Sequence, residues 1–363
     1  MKLQNPKSIL IVKLSSIGDV IHALPVARVL RRHFPQSKIS WLVSQKAREI
    51  VSGNPDLDHV IVVGGKGENG DIPICDINHP VQAARTLRSI GFDVALDLQG
   101  LIRSSLFSLL SGADVRIGYR SIKEAAFIFY NVHPFSSSWG QHVVDGYLRF
   151  AAVLGAPVAP VEFCIATNAE HEAKIDELLD QAGLSSSDRL VAISPGSSWR
   201  AKTWPAERLA VVAGHIAAQG CVPVVVGAKV DIPNAKIIAA NSHSPVVNLA
   251  GQTNLKQLTV LLRRCTAFIG NDSGPTHLAA AVGKPVIAIY GPTDSNILGP
   301  YGAQNITISA DVPCRPCRRR SKAERCYDLS CLDAVTPEMV CQAVDVVLAR
   351  TEQTAPVGAP AQP

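Results

Sequence analysis

The sequence predicts an α/β protein of two doubly wound domains, and three observations support this prediction. The chain has 363 residues, which at roughly 150 residues per domain suggests two domains. Hydrophobic residues make up 47% and aromatic residues only 5%, a balance typical of aliphatic parallel strands covered by helices. Short aliphatic strands alternate with helical patterns, and the alternation starts afresh near residue 190.

The first half opens with an aliphatic strand at residues 8–13, followed by a polar loop and a helix over 20–33. Apolar residues recur at helical spacing in that helix: Val20, Leu24, Ala27 and Leu30. Further strands are predicted at 38–43, 60–63 and 93–98, with a helix over 81–90. Strands that alternate with helices in this way predict a parallel sheet covered on both faces.

The second half repeats the pattern, with a strand at 190–194 and a helix over 205–219. Its remaining strands are predicted at 221–226, 246–248, 267–270 and 286–290. The segment 157–188, which contains a charged helix over 171–182, is interpreted as the linker. The domains are therefore predicted to span residues 1–165 and 166–350, followed by a disordered tail, Thr351–Pro363, rich in Ala, Pro and Gln.

Charge and composition disfavour several classes of function. The formal net charge of +5 is too small to indicate a dedicated nucleic-acid binder. No stretch of 18 uninterrupted apolar residues predicts a transmembrane helix, and Lys13 interrupts the first apolar run too early for an export signal. We therefore expect a cytoplasmic protein.

The nine cysteines fall into a scattered set and a clustered set. We expect the scattered ones to behave as buried small hydrophobes: Cys75, Cys164, Cys221, Cys265 and Cys341. The clustered ones have imperfect zinc-motif spacing, so a structural Zn²⁺ is the less favoured alternative there: Cys314, Cys317, Cys326 and Cys331. Arg318–Arg320 lies between them and is either a surface for anionic lipid head groups or a solvated loop.

A small polar loop, Ser15–Asp19, follows the first strand. Asp19 stands where a helix cap belongs, because carboxylates satisfy the free amides of a first helical turn. Ligands of parallel sheets, however, bind outside the carboxyl ends of the strands, and a carboxylate there can act as a general base. Both interpretations of Asp19 remain open at this point.

Three loops of the second half follow strands in the same way. The loop 195–205 carries Ser197, Ser198 and Lys202, which suit phosphate oxygens, although a plain capped loop is the alternative. The loop 270–277 places Gly274 at a helix start, with His277 as either a phosphate donor or a core histidine. The loop 290–294 is a Gly-Pro turn for which a plain turn and a functional role are equally favoured.

Together these loops predict group transfer from an activated donor. A diphosphate bound by one domain would meet a base supplied by the other. An NAD oxidoreductase is disfavoured because neither half carries G-x-G-x-x-G after its first strand. A non-catalytic nucleotide-binding module remains an alternative, but it would not need Asp19.

The sequence resembles the ADP-heptose:lipopolysaccharide heptosyltransferases of glycosyltransferase family 9 over most of its length. The residues that carry the resemblance are Val12–Pro25, Asp97–Arg103, Ser197–Pro205 and Asn271–His277. Three further pairs resemble heptosyltransferase I more than its relatives: Gly118-Tyr119, Phe129-Tyr130 and Gln141-His142.

The resemblance implies a GT-B fold, in which two Rossmann-like domains face each other across a cleft. It implies inverting transfer of heptose from ADP-heptose to a Kdo residue of Kdo-lipid A, without cofactor or metal. The enzyme would be cytoplasmic, either free or peripheral on the inner membrane. Asp19 matches the family's catalytic base. The donor-binding positions are matched by Ser197, Ser198, Lys202, Asp272, Ser273, Gly274 and His277.

The sequence departs from the family pattern at two places. Lys229 stands where heptosyltransferase I often carries a glutamate that contacts the ribose, so a different nucleotide sugar is an alternative donor. An Arg-Glu pair of the acceptor region is here Lys123-Glu124. For an anionic acceptor, we expect contacts from Arg103, Arg120 and Lys123, with solvated surface as the alternative.

Overall fold

The computed structural model describes residues 5–65, 70–120, 123–135, 141–317 and 326–354. The chain forms two compact units. Unit 1 comprises Met1–Thr167 with Asn296–Leu298, and unit 2 comprises Asn168–Ser295 with Gly299–Pro363. Each unit contains one parallel sheet with helices, as the α/β prediction requires.

In unit 1, the sheet has the strand order β4-β3-β2-β1-β5-β6-β7, and every described pairing is parallel. The strands are β1 Ser8–Val12, β2 Lys38–Ser44, β3 His59–Val63, β4 Ile72–Ile74, β5 Val94–Asp97, β6 Val115–Tyr119 and β7 Val132–Phe135. The helices are α1 Ile17–His33, α2 Arg48–Val51, α3 Pro80–Ile90, α4 Ile102–Leu110 and α5 Val143–Val153, with 3-10 turns at Gln45–Ala47 and Lys123–Phe129.

In unit 2, the order is β10-β9-β8-β11-β12-β13, again with parallel pairings throughout. The strands are β8 Leu190–Ser194, β9 Val222–Val225, β10 Val247–Asn248, β11 Ala267–Asn271, β12 Val286–Ile289 and β13 Ile306–Ile308. The helices are α6 Ala169–Gln181, α7 Ala206–Ala218, α8 Ile232–Asn241, α9 Leu255–Arg264, α10 Gly274–Ala281, α12 Ser330–Asp333 and α13 Pro337–Thr354, with 3-10 turns at Arg200–Lys202 and Lys229–Asp231. The short helix α11, Ser295–Leu298, follows β12, and its last three residues belong to unit 1.

The strand orders locate a ligand crevice in each unit. The order reverses direction between β1 and β5 in unit 1, and between β8 and β11 in unit 2. In open parallel sheets, ligands bind at such a switch point, outside the carboxyl ends of the strands. The loops that begin at Lys13, Leu98, Pro195 and Asp272 therefore occupy the favoured positions.

The core follows the aliphatic pattern of the sequence. All five residues of β1 and all five of β8 are buried, because parallel strands are covered on both faces. The helical stripe predicted for α1 is buried as well: Val20, Leu24, Ala27 and Leu30. That helix begins at Ile17, three residues earlier than predicted, because a capping interaction extends its first turn.

Two boundary predictions need correction. The charged helix assigned to the linker is α6, which belongs to unit 2, where Arg264 forms ion pairs with Glu172 and Asp176. The last helix, α13, continues to Thr354 through the segment predicted as tail, and Arg189 pairs with Glu352 there at 2.7 Å. The remainder of that predicted tail, 355–363, lies outside the described residues.

The prediction that the five scattered cysteines are buried is confirmed for two of them. Cys221 and Cys265 are buried, but Cys75, Cys164 and Cys341 are partly exposed.

Among the described helices, none has the length and apolar character needed to cross a bilayer.

Candidate functional site

Side-chain and main-chain hydrogen bonds tie the loops after β8 and β11 together in unit 2. The Ser197 hydroxyl donates to the main-chain oxygen of Asp272 at 3.1 Å. The side-chain amide of the buried Asn271 donates to the Pro195 main-chain oxygen at 2.7 Å, and its oxygen accepts the main-chain N–H of Trp204 at 3.1 Å. These bonds hold the two predicted donor loops side by side at the switch point.

Asp272 lies at the centre of this site. Lys202 Nζ is 2.6 Å from its Oδ2, and the Thr293 hydroxyl donates to the same oxygen at 2.6 Å. His277 Nε2 is 3.7 Å from Oδ1. Burial by itself raises the pKa of Asp272, but contact with His277 and the charge of Lys202 outweigh it and lower the pKa to about 2. The Asp272 carboxylate is therefore ionised throughout the physiological range.

Lys202 is a partly sequestered cation. Its side chain is 13% exposed, and Nζ lies 4.4 Å from the centroid of the Trp199 ring. A flexible lysine held by one carboxylate and one aromatic face can turn towards a phosphate and carry its charge with it. This arrangement fits the phosphate-binding role predicted for Lys202.

The start of helix α10 supplies the remaining predicted donor positions. Ser273 precedes the helix and Gly274 begins it, and both are partly exposed. The Ser273 hydroxyl lies 3.4 Å from that of Thr276. Ser198 is exposed beside Ser197. Main-chain amides and hydroxyls at a helix start suit anionic oxygens, in keeping with the prediction.

Two unit 2 residues near these loops were missed by the sequence reasoning. Thr293, in the loop for which a plain turn was equally favoured, is a direct partner of Asp272. Asp231 lies against two strand-end glycines: a Cβ added at Gly196 would come within 2.1 Å of its Oδ1, and one at Gly227 within 2.7 Å of its Oδ2. The sequence could have pointed to Asp231, because an acidic residue after the second strand of a doubly wound unit is typical of nucleotide-binding sites.

In unit 1, the structure assigns Asp19 a capping interaction. Its Oδ2 accepts the Ser16 N–H at 2.9 Å and the Ser16 hydroxyl at 2.7 Å, so the pair forms the capping box of α1. Lys13 is buried nearby. Burial lowers the pKa of Lys13, but the nearby Tyr147 and Asp19 raise it by more than burial lowers it, so the pKa lies above its ordinary value. The capping interpretation is thus confirmed, and a role for Asp19 as base remains a prediction.

Asp97 organises the neighbouring loop after β5. It is fully buried and accepts hydrogen bonds from the Tyr130 hydroxyl at 2.6 Å and from the amides of Gln99 and Gly100 at 2.8 and 3.1 Å. Burial raises the pKa of Asp97, and the bond from Tyr130 opposes that rise. Gln99 in turn accepts the Ser15 N–H at 3.3 Å, which links this loop to the one that carries Asp19.

We expect Tyr130→Phe to lower the free energy of unfolding, because Tyr130 and its partner Asp97 both lie in unit 1 and form a buried hydrogen bond there. The substitution leaves a buried Asp97 oxygen without its hydroxyl donor, which typically costs about 1–3 kcal/mol of unfolding free energy. Urea unfolding of the full chain measures the loss. Tyr327→Phe, at an 86% exposed position, is the matched control and should change stability by less than about 0.5 kcal/mol. Equal stability of the two variants would contradict the role assigned to Tyr130.

Of the three predicted acceptor residues, the structure describes the side chains of Arg103 and Arg120. Arg103 pairs with Asp76 at 2.7 Å. Arg120 is exposed, and its main-chain N–H donates to the Phe135 oxygen at 2.7 Å. The side chain of Lys123 lies outside the described residues. Their assignment to an acceptor remains a prediction.

The clustered cysteines differ in exposure: Cys314 is exposed, Cys317 and Cys326 are partly exposed, and Cys331 is buried. Over the ranges that the structure describes, no three His, Cys, Asp or Glu residues are placed to hold a metal ion. The basic residues Arg318–Arg320 lie outside those ranges.

Comparison with known proteins now decides the family. The sequence profile described as glycosyltransferase family 9 (heptosyltransferase) matches residues 81–328, more than half of the chain. The chain belongs to glycosyltransferase family 9. It is therefore a glycosyltransferase of the heptosyltransferase family, and its two α/β units have the GT-B fold.

Individual relatives agree with this family 9 assignment. The lipopolysaccharide core heptosyltransferase OpsX of Haemophilus influenzae is 31% identical over 312 residues, which cover 84% of each chain. The family 9 glycosyl transferase of Veillonella parvula has a TM-score of 0.79 at 25% identity, covering 96% of this chain and 99% of that one. The E. coli heptosyltransferase WaaC, solved with ADP, has a TM-score of 0.71 at 24% identity, covering 94% and 99%.

Proposed function

We propose that this family 9 enzyme acts in lipopolysaccharide core synthesis and transfers heptose from ADP-heptose to a Kdo residue of Kdo-lipid A. The observation that carries the donor half of the proposal is the Lys202–Asp272 pair at the switch point of unit 2, beside Ser197 and the start of α10. The names of OpsX and of the ADP-bound WaaC support the donor class and the biological setting.

The donor would bind through its diphosphate. Lys202 is proposed to turn from Asp272 to the phosphates, where Ser197, Ser198 and the amides from Ser273 onward supply hydrogen bonds. Asp272, freed of its lysine but still bonded to Thr293, would accept hydrogen bonds from sugar hydroxyls. As the bond to ADP breaks, negative charge grows on the diphosphate, and Lys202 stabilises it in the transition state.

Asp19 is proposed as the general base. Its carboxylate would take the proton of the acceptor hydroxyl while that oxygen attacks the anomeric carbon and ADP departs from the opposite face, which inverts the configuration. The buried Lys13 interacts electrostatically with Asp19, which is one of the groups that raise the pKa of Lys13. Arg103, Arg120 and Lys123 would contact the anionic acceptor at the cytoplasmic face of the inner membrane.

Asp231 is proposed to replace the missing ribose contact at Lys229. An acidic residue that follows the second strand of a doubly wound nucleotide-binding unit hydrogen-bonds ribose hydroxyls. Asp231 follows β9, the neighbour of β8, and its carboxylate lies against the first strand-end turn at Gly196. Burial raises the pKa of Asp231, and the hydrogen bond that it accepts from the Ala228 N–H at 2.8 Å opposes that rise.

We expect Asp231→Asn to weaken ADP binding by roughly tenfold, because a charged acceptor for hydroxyl groups becomes a neutral one. Wild-type enzyme should prefer ADP over 2′,3′-dideoxy-ADP, and the variant should largely lose that preference. Titration calorimetry measures both affinities. Lys229→Ala is the control and should leave them unchanged. An Asp231→Asn protein that still discriminates like wild type would exclude the ribose contact.

A donor and acceptor panel tests the proposed reaction as a whole. ADP-heptose should support transfer to Kdo-lipid A, UDP- and GDP-sugars should not, and EDTA should have no effect. Transfer only from UDP- or GDP-sugars would favour the second candidate, a GT-B enzyme with another nucleotide sugar, for which Lys229 is the supporting observation. Transfer only to an acceptor that already carries heptose would assign the enzyme a later step of core synthesis.

A further inference from the structure

The segment Val312–Cys317, which carries the Cys-x₂-Cys pair, is bonded to the loop after β12. Arg315 Nε donates to the Gly291 oxygen, and Arg315 Nη2 donates to the Thr293 oxygen at 3.3 Å. The main-chain N–H of Cys317 donates to the Pro292 oxygen at 2.7 Å. Three consecutive carbonyl groups of one turn are thus held by a single short segment.

Arg315 is itself fixed in place. Its Nη1 donates to the Ala310 oxygen at 2.9 Å, and its main-chain N–H donates to the Val312 oxygen at 3.0 Å. The guanidinium is partly buried, and its planar fork reaches carbonyl groups on both sides of the turn. A lysine at this position would keep the charge but would lose that fork.

The turn held by Arg315 has little freedom on its other side. A Cβ added at Gly291 would lie 2.7 Å from the Ala201 oxygen and 3.0 Å from the Leu332 side chain. Ala201 directly precedes Lys202. The loop Gly291–Thr293 is therefore packed between the main chain that carries Lys202 and the segment that carries Arg315.

This turn matters because it ends in Thr293, whose hydroxyl donates to the Asp272 oxygen that also pairs with Lys202. A displacement of the turn would move that hydroxyl. The Thr293 Oγ1 atom is 2.6 Å from Asp272 Oδ2, so a displacement of the turn by about 1 Å away from Asp272 would break this hydrogen bond.

We propose that Arg315 is a positioning residue of the donor site, which acts through Thr293 on Asp272 and so sets the affinity for the nucleotide diphosphate. This inference rests on the proposed function, since it takes the Asp272 site to be the donor site. It also gives the Cys-x₂-Cys segment a structural task, since the main-chain N–H of Cys317 donates to the Pro292 oxygen.

The first test compares ADP affinities of full-length variants by titration calorimetry. Arg315→Lys should weaken ADP binding on the order of tenfold, as expected when a charged donor to backbone carbonyls is lost. Thr293→Val should have a similar effect. Because both act on the same contact, the double variant should bind ADP about as weakly as either single variant, so the two losses should not multiply.

Two controls separate positioning from a general loss of stability. Arg31 also donates to three backbone oxygens, those of Asp56, Pro35 and Ser37, but in unit 1. Arg31→Lys should lower the melting temperature while ADP affinity stays within about twofold of wild type. Cys317→Ser retains the main-chain N–H and should also bind ADP normally.

The outcomes distinguish the two proposals. If wild-type enzyme does not bind ADP, the proposed function fails. If wild type binds ADP and Arg315→Lys binds it equally well, or if the losses of Arg315→Lys and Thr293→Val multiply, the positioning role is overturned. A loss in Cys317→Ser equal to that in Arg315→Lys would also overturn it, since the thiol would then be the active group. Should Arg315→Lys fail to fold, Thr293→Val still tests the proposal: normal ADP affinity in that variant would overturn it, because Arg315 is proposed to act through the Thr293 hydroxyl.

Discussion

Replacing Asp19 with alanine is expected to abolish turnover while ADP binding stays nearly intact. Removal of a general base typically costs 10²- to 10⁴-fold in rate, and we expect a loss of at least about 10²-fold in kcat. The predicted nucleotide-binding residues all belong to unit 2, whereas Asp19 belongs to unit 1. Steady-state kinetics with ADP-heptose and Kdo-lipid A measures turnover, and titration calorimetry measures ADP affinity.

The capping role of Asp19 requires a second variant, because alanine also removes the acceptor for the Ser16 N–H. Loss of a helix cap costs about 0.5–2 kcal/mol of stability. Asp19→Asn keeps an oxygen that can accept this bond but cannot serve as the base. The asparagine variant should therefore be as inactive as the alanine variant and more stable. An active Asp19→Asn enzyme would leave Asp19 as a helix cap only.

Replacing Lys202 with methionine is expected to impair both the stability and the donor binding of the enzyme. The side chains of Lys202 and Asp272 are only 13% and 7% exposed, so the substitution leaves a buried carboxylate without its cation. Breaking a buried pair in this way costs about 3–5 kcal/mol. ADP affinity should fall by at least about tenfold, since the diphosphate loses its point charge. Urea unfolding and calorimetry measure the two effects.

The pH dependence of that loss follows from the pKa of Asp272. A pKa of about 2 in the folded enzyme lies below the value of about 3.9 in an unfolded chain, so the contacts of Asp272 with His277 and Lys202 together stabilise the fold above pH 4. That stabilisation disappears as the pH falls towards 2. The stability difference between wild type and Lys202→Met should therefore be largest near neutral pH and should shrink on acidification.

The double variant Lys202→Met, Asp272→Asn is the control for this prediction. It removes the unpaired charge and should recover much of the lost stability, but it should not recover ADP binding. Recovery of ADP binding would mean that Lys202 serves only to neutralise Asp272 and does not contact the phosphates.

The central strands and the donor loops were predictable from the sequence because their signals are local. β1 and β8 are continuous aliphatic runs between loops, and Val20 to Leu30 mark one helical face. Lys202, Asp272 and His277 follow strands that the parallel topology brings to one edge, so their proximity follows from chain order.

The edge strands β4, β7 and β13 and the supporting contacts were not predicted from the sequence, whereas the edge strand β10 was. β4 and β7 are short and each contains a proline, Pro73 and Pro134, which weakens a strand pattern. Thr293 bonds to Asp272, which lies 21 positions earlier in the chain. Arg315 bonds to backbone oxygens, and every residue type has one, so the sequence gives no indication of this contact. The helix α6 was predicted within two residues of its observed bounds but was assigned to a linker, because the charges on its surface gave no indication of the ion pairs with Arg264.

If Lys202 binds the donor's diphosphate as proposed, its ion pair with Asp272 makes donor capture an exchange reaction. An incoming pyrophosphate displaces an internal counter-ion, and it does not settle on a bare cation. Simple anions such as chloride or sulfate offer the lysine little that the aspartate does not already provide, whereas a nucleotide sugar compensates the displaced aspartate with its own hydroxyls. For the proposed donor site, we therefore expect the pairing of these two side chains to favour nucleotide sugars over small anions.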